Sequence, residues 1–414
     1  MEHAWIISVG TELALGQTMD TNAAWLATQL VSLGIRPQRH VTVPDDLDAI
    51  RDALKRAAES ADVILLTGGL GPTEDDLTRH ALAAVADAPL ELHTPSVDQI
   101  RARFSARGHE MSPSNRIQAM MPRGATAIAN TRGTAPGIHV LLHGKPCYAL
   151  PGVPSEMQTM FERDIAPRLR ATAGGHVICS RRLHSFGLGE SVLGERLDTL
   201  MQRGRNPEVG TTAALGIIGI RINARAESAA AANRLLDETE TEVRRRLGKV
   251  VFGRDEDTLS SAVGELLTAR DGTLSTAESC TGGLISTMLT DVSGSSVYYV
   301  GSAVTYANSA KLALLGVRPD DLERHGAVSE PVARQMADGV AEKFQSDYAV
   351  SVTGIAGPAG GNPEKPVGLV FIGLRTPNGT TVQECRFGHD SARWVIRKRA
   401  AHTALNLLRL RLLE

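Results

Sequence analysis

The sequence predicts an α/β protein built in three modules, and three observations carry that prediction. Residues 1–171 alternate short apolar runs with amphipathic stretches of helical period. Residues 253–414 repeat the alternation with their own glycine-rich turns, and residues 172–252 between them break it and read as a small α+β unit. Strands show a period of two and helices one of 3.6, which separates the two element types. A chain of 414 residues also exceeds what one hydrophobic core usually serves.

In the first module "AWIISV" reads as a buried strand and "TNAAWLATQLVSLG" as an amphipathic helix, capped by Asp20 or Thr21 and stopped at Gly34. The strand "QRHVTV", the helix "DLDAIRDALKRAAESA" and the apolar strand "DVILLTGG" follow. This βαβαβ order predicts a doubly wound parallel sheet with ligands at the carboxyl ends of its strands. The middle unit contains "IIGIRINARA" and the polar helix "AAAANRLLDETETEVRRRLG", with "VVFGRDEDT" as the joint to the last module. There the helix "TLSSAVGELLTARDG" precedes the strand "TLSTAES", a helix from "TGGLISTMLTDV" and the strand "VYYVGSAVTY". "SEPVARQMADGVAEKFQ" is a long helix, "DYAVSVTGIAG" a strand running into glycines, and "ARWVIRKRAAHTALNLLRLRLL" the closing helix. "VGLVFIGLRT" and "TTVQECRF" read as paired strands turned by "PNG".

Composition narrows the function classes. Hydrophobic residues make up 42% and charged residues 22%, as in ordinary globular proteins. A net charge of -2 argues against direct binding to nucleic acid or an acidic membrane. No apolar run approaches the ~20 residues of a membrane span, and the first residues lack the pattern of a signal peptide. Cys147, Cys179, Cys280 and Cys385 are scattered, which points to a reducing cytoplasm and away from a zinc or disulfide framework.

The chemistry concentrates in the last module. In "ESCTGG" a strand runs into Ser279, Cys280 and Thr281, and a helix begins near Gly282 and Gly283. Glycines let backbone approach a ligand, and a helix N-terminus offers free N–H groups to an anion or to the oxyanion of acyl transfer. Plain helix capping would use the same residue types. "VSGSSVYYVGSAVTYANSAK" adds Ser295, Ser296, Tyr306 and Lys311, and "SVTGIAGPAGGNPEKPVG" places Thr353 at a strand end before Gly354, Gly357, Gly360 and Gly361. If Asn308 caps the next helix, Lys311 stands in its first turn, where a cation opposes the helix dipole. Partial burial would push it further toward a neutral amine able to activate a serine; a solvated surface lysine is the bland alternative.

"AESCTGG", "GSAVTYANSAK", "GAVSEPVA" and "SVTGIAGPAGG…KPVG" together resemble the nicotinamide-nucleotide amidase domain of the competence/damage-inducible CinA family, over about residues 255–414. The first module resembles that family's molybdopterin-binding-like domain over about residues 4–170, and the middle one resembles a KH-like fold in outline. The resemblance implies hydrolysis of nicotinamide mononucleotide to nicotinate mononucleotide and ammonia, without a metal. Ser296 or Ser279 would be the nucleophile, with Cys280 ranked below both, Lys311 the base and Tyr306 its helper. Thr353 and the N–H groups of Thr281 to Gly283 would hold the oxyanion or the phosphate. Gly354, Gly357, Lys365 and Gly368 would line the substrate, and Arg393 or Arg397 would bind its anionic group. The family's compact Gly-Asp-Arg before the last helix is replaced by "FGHDSARWVIR".

In the first module "LLTGGLGPTEDDLT" brings Thr67, Gly68, Gly69, Gly71, Asp75 and Asp76, and the start of the chain adds Gly10 and Glu12. Asp45, Asn130, Gly133, Gly137, Gly152 and Glu156 come from further loops that a doubly wound sheet can bring to one crevice. Backbone N–H groups there could hold phosphates while carboxylates bind a hard divalent cation. The resemblance implies cleavage of ADP-ribose at its pyrophosphate with a divalent cation such as Mg2+, for which Asp76 and Asp45 are the candidate metal or catalytic residues. It also implies a homodimer. "FGLGES" in the middle unit carries an acid where a nucleic-acid loop would be basic, so that unit reads as a spacer or dimerisation element. Two other readings stand beside the enzyme: a non-catalytic partner in competence or recombination, and a molybdopterin-binding protein.

Overall fold

The computed structural model describes residues 1–106, 108–172 and 175–414. The chain divides into two compact units, residues 1–179 with 224–235, and residues 180–223 with 236–414.

The first unit runs β1 (His3–Val9), α1 (Thr11–Ala14), α2 (Thr21–Ser32), β2 (Arg36–Val43), α3 (Leu47–Ser60), β3 (Val63–Thr67) and α4 (Thr78–Val85). It continues through β4 (Leu90–Leu92), α5 (Thr94–Ser105), β5 (Met120–Pro122), β6 (Thr126–Ile128), β7 (Gly137–Leu142), β8 (Lys145–Leu150), α6 (Pro154–Met160) and α7 (Ala166–Thr172). Six strands form one sheet in the order β2-β1-β3-β8-β7-β6. Both faces are covered, so the central strands are apolar without alternation. Ile7, Ile64 and Leu66 pack with Ile50 and Leu54 of α3 on one side, while Ile6 and Leu65 pack with Leu26 and Leu30 of α2 on the other. Asp20 caps α2 by accepting from the Ala23 N–H at 2.9 Å. The sheet is parallel over β2, β1, β3 and β8, while β7 is antiparallel to both of its neighbours, β8 and β6. The cause is the two-residue turn His143–Gly144, with φ of 48° and 78°, which forces β8 straight back along β7.

In the second unit β9 (Val177–Phe186) is followed by α8 (Glu190–Leu197), β10 (Glu208–Ala214), β11 (Ile217–Ala226), α9 (Ala229–Leu247) and β12 (Val251–Arg254), of which the start of β9, the end of β11 and the start of α9 belong to the first unit. The sheet order is β10-β11-β9-β12. The "VVFGRDEDT" stretch is therefore not a free joint: Val251 pairs with Ser185 and Arg254 with Leu183, so the middle sheet claims it as its fourth strand.

The last module runs α10 (Leu259–Thr268), β13 (Leu274–Glu278), α11 (Leu284–Thr290), β14 (Tyr299–Val304), α12 (Asn308–Leu315), α13 (Pro319–His325) and α14 (Glu330–Phe344). It ends with β15 (Tyr348–Gly354), β16 (Leu369–Thr376), β17 (Gly379–Arg386) and α15 (Arg393–Leu412). The sheet order is β14-β13-β15-β16-β17. β14, β13 and β15 are parallel, and β16–β17 is a hairpin turned by Pro377–Asn378. Val263, Leu267, Ile285, Ile396 and Leu405 cover one face through Val350 and Val352, while Met336 and Val340 of α14 cover the other through Ala277 and Ala349. The three parallel strands end together at Glu278, Val304 and Gly354, and that edge carries the candidate site. Among the described residues no helix is long and apolar enough to cross a membrane.

Candidate active site

Ser279 is the residue that leaves β13, tied to β15 by its own N–H on Val352 O at 2.9 Å. Lys311 reaches it from the first turn of α12, and Lys311 Nζ lies 3.1 Å from Ser279 Oγ. The lysine is buried, with 1% of its surface exposed, and its only other partners among the described residues are the carbonyls of Thr305 at 2.7 Å and Tyr306 at 3.3 Å. No carboxylate pairs with it among the described residues. Burial pushes its ammonium below the ordinary lysine value. Asn308 does not cap α12; it is the first helical residue, Ala307 holds the cap position, and no side chain bonds there. Lys311 keeps its first-turn place regardless, because its N–H reaches Ala307 O.

The backbone after Ser279 turns through Gly282 and Gly283 at φ of 61° and 89°, a region that favours glycine. Glu278, fully buried, turns under this loop and accepts from the N–H groups of Ile285 and Ser286 and from Ser286 Oγ at 2.8–3.1 Å. It thereby fixes the start of α11. The N–H groups of Thr281 and Gly283 make no hydrogen bond among the described residues. Thr281 Oγ1 is likewise buried without a partner among them.

Arg393 and Arg397, one turn apart on α15, converge on the same loops. Arg397 donates to Thr281 O at 2.7 Å. Arg393 donates to Gly357 O and to Tyr306 Oη, each at 2.8 Å. Both arginines therefore sit at the mouth, and neither displaces the other. Tyr306 corrects its expected role: its ring is 62% exposed and meets Arg393, and only its backbone carbonyl meets Lys311.

Other expected residues are placed elsewhere. Ser296 lies on an exposed turn before β14, at the sheet edge opposite Ser279. The five-residue span of β13 puts it about 16 Å or more away at ~3.3 Å per residue. Cys280 is packed into the hydrophobic core and burial pushes its thiol up to about 12, so it carries no thiolate near neutral pH. Thr353 is buried and gives its hydroxyl to Ala327 O at 2.8 Å, which leaves no donor for an oxyanion. Lys365 donates to the carbonyls of His325 and Val328, tying its loop to the end of α13 instead of facing a substrate. Gly354 and Gly368 serve close backbone approach, since a Cβ at either would fall within 3 Å of neighbouring backbone.

In the first unit a pocket of about 400 Å3 opens at the carboxyl ends of β1, β3 and β8. Gly10, Glu12, Asp45, Gly68, Gly69 and Gly71 line it, joined by Asp75, Asp76, Gly152 and Glu156. Thr67, Asn130, Gly133 and Gly137 do not. Thr67 bonds to Pro151 O, and Asn130 holds Glu156 at 2.7 Å with Gly133 on its own carbonyl oxygen. Gly137 is a strand residue against Met160 and Ala149. Asp76 is occupied by its own loop, accepting from Gly71 N, Thr73 N and Thr73 Oγ1. Asp45 accepts from the N–H and hydroxyl of Thr11. Among the described residues no group of three or more His, Cys, Asp or Glu is arranged to hold a metal ion.

Comparison with known proteins accounts for all three modules. The family model described as "CinA C-terminal domain" matches residues 256–412, "Probable molybdopterin binding domain" residues 5–171, and "Damage-inducible protein CinA KH domain" residues 180–253. A CinA-like protein of Trichormus variabilis is 44% identical over 99% of this chain and 99% of its own. One from Gloeobacter violaceus is 45% identical over 98% of this chain and 96% of its own. The chain belongs to the CinA family. A crystal structure of the competence/damage inducible protein CihA from Agrobacterium tumefaciens is 43% identical, covering 38% of this chain and 94% of that one, with a TM-score of 0.37.

Sequence reasoning quoted Glu278 in this CinA chain but gave it no role. Its signal is positional: an acid at the end of an apolar strand, followed within a few residues by a helix start, is placed to accept that helix's free N–H groups. The carbonyl of Thr305 left no signal, because any residue supplies a carbonyl.

Proposed function

We propose that the C-terminal module of this CinA protein hydrolyses the carboxamide of nicotinamide mononucleotide by serine–lysine catalysis. One observation supports this above the others: a buried lysine, with no carboxylate partner among the described residues, stands 3.1 Å from a serine at a strand end. A neutral Lys311 has two N–H bonds, and two carbonyls take them, those of Thr305 and Tyr306. Its lone pair is then left for the Ser279 hydroxyl.

Lys311 takes the Ser279 proton as Oγ attacks the amide carbon. The carbonyl electron pair moves onto oxygen, where the free N–H groups of Thr281 and Gly283 can receive it. Collapse of the adduct breaks the C–N bond, and the proton on Lys311 goes to the leaving ammonia. Water then attacks the acyl–Ser279 ester with Lys311 again as base, releasing the nicotinate and restoring the hydroxyl. Arg393 and Arg397 at the mouth suit the phosphate of the nucleotide. Ammonia release from nicotinamide mononucleotide, with acyl-enzyme trapping by mass spectrometry, tests this reading. Turnover by folded Ser279→Ala at the wild-type rate would end it.

For the first unit we propose a nucleotide site, with ADP-ribose cleavage at its pyrophosphate as the finer reading. The glycine loops at three parallel strand ends support phosphate binding. Asp76 already accepts from its own loop and Asp45 from Thr11, so neither carboxylate stands without partners to take a cation, and no step runs through one. Calorimetric titration with ADP-ribose separates the two readings: binding without hydrolysis leaves only the site.

A further inference from the structure

The middle sheet and the last module enclose a cavity of about 540 Å3 that the serine–lysine chemistry does not use. That volume lies within the range of small-molecule sites, about 300–1,000 Å3. One wall is the sheet face carrying Arg182, His184 and Ile217, whose strand neighbours Leu183, Ser185 and Ile218 are buried on the other side. The facing wall is made by Met288 at the end of α11 and by Lys398 and His402 of α15. Phe252 and the His184 ring stack at 5.8 Å and 22°, giving the apolar wall a flat aromatic platform. His184 cannot swing away from it, because its Nε2 is held 2.7 Å from Asp255 O.

The charges are arranged unequally. Lys398 is half-buried, and neither its ammonium nor the exposed Arg182 guanidinium has a partner among the described residues. Of the two acids in the lining, Asp257 accepts from the Arg254 N–H at 2.8 Å just before the N-terminus of α10, where the helix dipole favours its charge. Asp291 is exposed, where solvent screens it. The least solvated free charge facing the cavity is therefore the cation of Lys398. A half-buried, unpaired ammonium across one cavity from an aromatic platform is an incomplete arrangement that an anion completes.

We propose that this cavity is a second ligand site, taking a small amphipathic anion with a flat aromatic body against Phe252 and His184 and one negative group on Lys398, with Arg182 at the entrance. The occupant would touch α11 and α15, the helices that also carry the Gly282–Gly283 turn and Arg393 with Arg397. The proposal does not rest on the amidase reading, and its test reads binding, not turnover.

The full chain is titrated with 1-anilinonaphthalene-8-sulfonate, an aromatic body with one anionic group, by fluorescence. One saturable site per chain is expected. Lys398→Glu should weaken it at least about tenfold and Lys398→Arg restore most of the affinity, as for a charge-assisted contact. Ala214→Trp, at an exposed strand position on the cavity wall, should abolish the saturable phase while the melting temperature holds. Absence of saturable binding to wild type would overturn the proposal, as would binding that ignores both Lys398→Glu and Ala214→Trp. Light scattering that shows Ala214→Trp changing oligomeric state with probe binding intact would make this face an interface and equally overturn it.

Discussion

Replacing Lys311 by methionine removes the amine while keeping the length of the side chain, and two readouts should then move for different reasons. Activity should fall by about 10²–10⁴, the usual contribution of a positioned base, or about 2.7–5.4 kcal/mol of barrier. Stability is a contest. The buried ammonium is disfavoured by burial, which methionine relieves. Against that, Thr305 O loses a 2.7 Å partner and a buried orphaned carbonyl costs about 1–3 kcal/mol. The pH dependence resolves what a single measurement cannot. The folded Lys311 has its pKa lowered from the ordinary 10.5, so between those two values the unfolded chain binds more protons than the folded one. Wild type must therefore gain stability relative to Lys311→Met as pH rises toward 10.5 and reach its full advantage above it. Ammonia release at neutral pH and thermal melts from pH 7 to 11 check both arms. A stability difference flat in pH, or turnover within a few-fold of wild type, would refute the buried-base account.

The acid limb of kcat/KM for nicotinamide mononucleotide should report the same group: rate rises with pH through a pKa below that of ordinary lysine, and Lys311→Arg, charged at all accessible pH, is expected to be inactive throughout. Ser279→Ala should abolish acyl-enzyme formation while Ser296→Ala stays within about threefold of wild type, as expected for a surface change away from the site. Glu278→Gln turns one acceptor into a donor against the N–H groups of Ile285 and Ser286. It should lower stability by about 1–3 kcal/mol, read by urea denaturation, together with kcat. Gly283→Ala, at φ 89°, is expected to cost about 1–2 kcal/mol and to lower kcat by displacing the N–H groups of the turn.

Much of this was legible because it was local. Caps, stops and glycine turns lie within a few residues of what they act on, so Asp20, Gly34 and the turn after Ser279 announce themselves. Lys311 could be placed in the first turn of α12 by taking Asn308 as its cap, although Asn308 proved to be helix and not cap. What sequence could not separate was Ser279 from Ser296. Both sit among small polar residues, and only the register of β13 on β14 shows that they stand at opposite ends of the sheet. Lys365, Thr353 and Asp76 look like ligand residues by type. Lys365 and Thr353 are instead bound to carbonyls of neighbouring segments and Asp76 to N–H groups of its own loop, pairings that composition does not encode. The antiparallel edge of the first sheet depended on a two-residue turn, His143–Gly144, that is easily read as part of a longer loop.

A lysine base demands more of the fold than a histidine would, and the structure answers that demand in one direction. Histidine titrates near neutrality unaided, whereas lysine must be made less basic, by burial or by a neighbouring positive charge. A carboxylate near Lys311 would undo that by favouring the ammonium. Glu278 adjoins Ser279 in sequence, yet its oxygens point into the start of α11 and are occupied by two backbone N–H groups and a hydroxyl. The same contact thus anchors the helix whose first turn exposes the N–H groups of Thr281 and Gly283, and keeps a negative charge engaged away from the amine. If Glu278 has this double role, Glu278→Gln should leave the acid limb of the pH–rate profile in place while lowering its plateau. A limb displaced by a full unit would mean that the carboxylate charge had been acting on Lys311 directly.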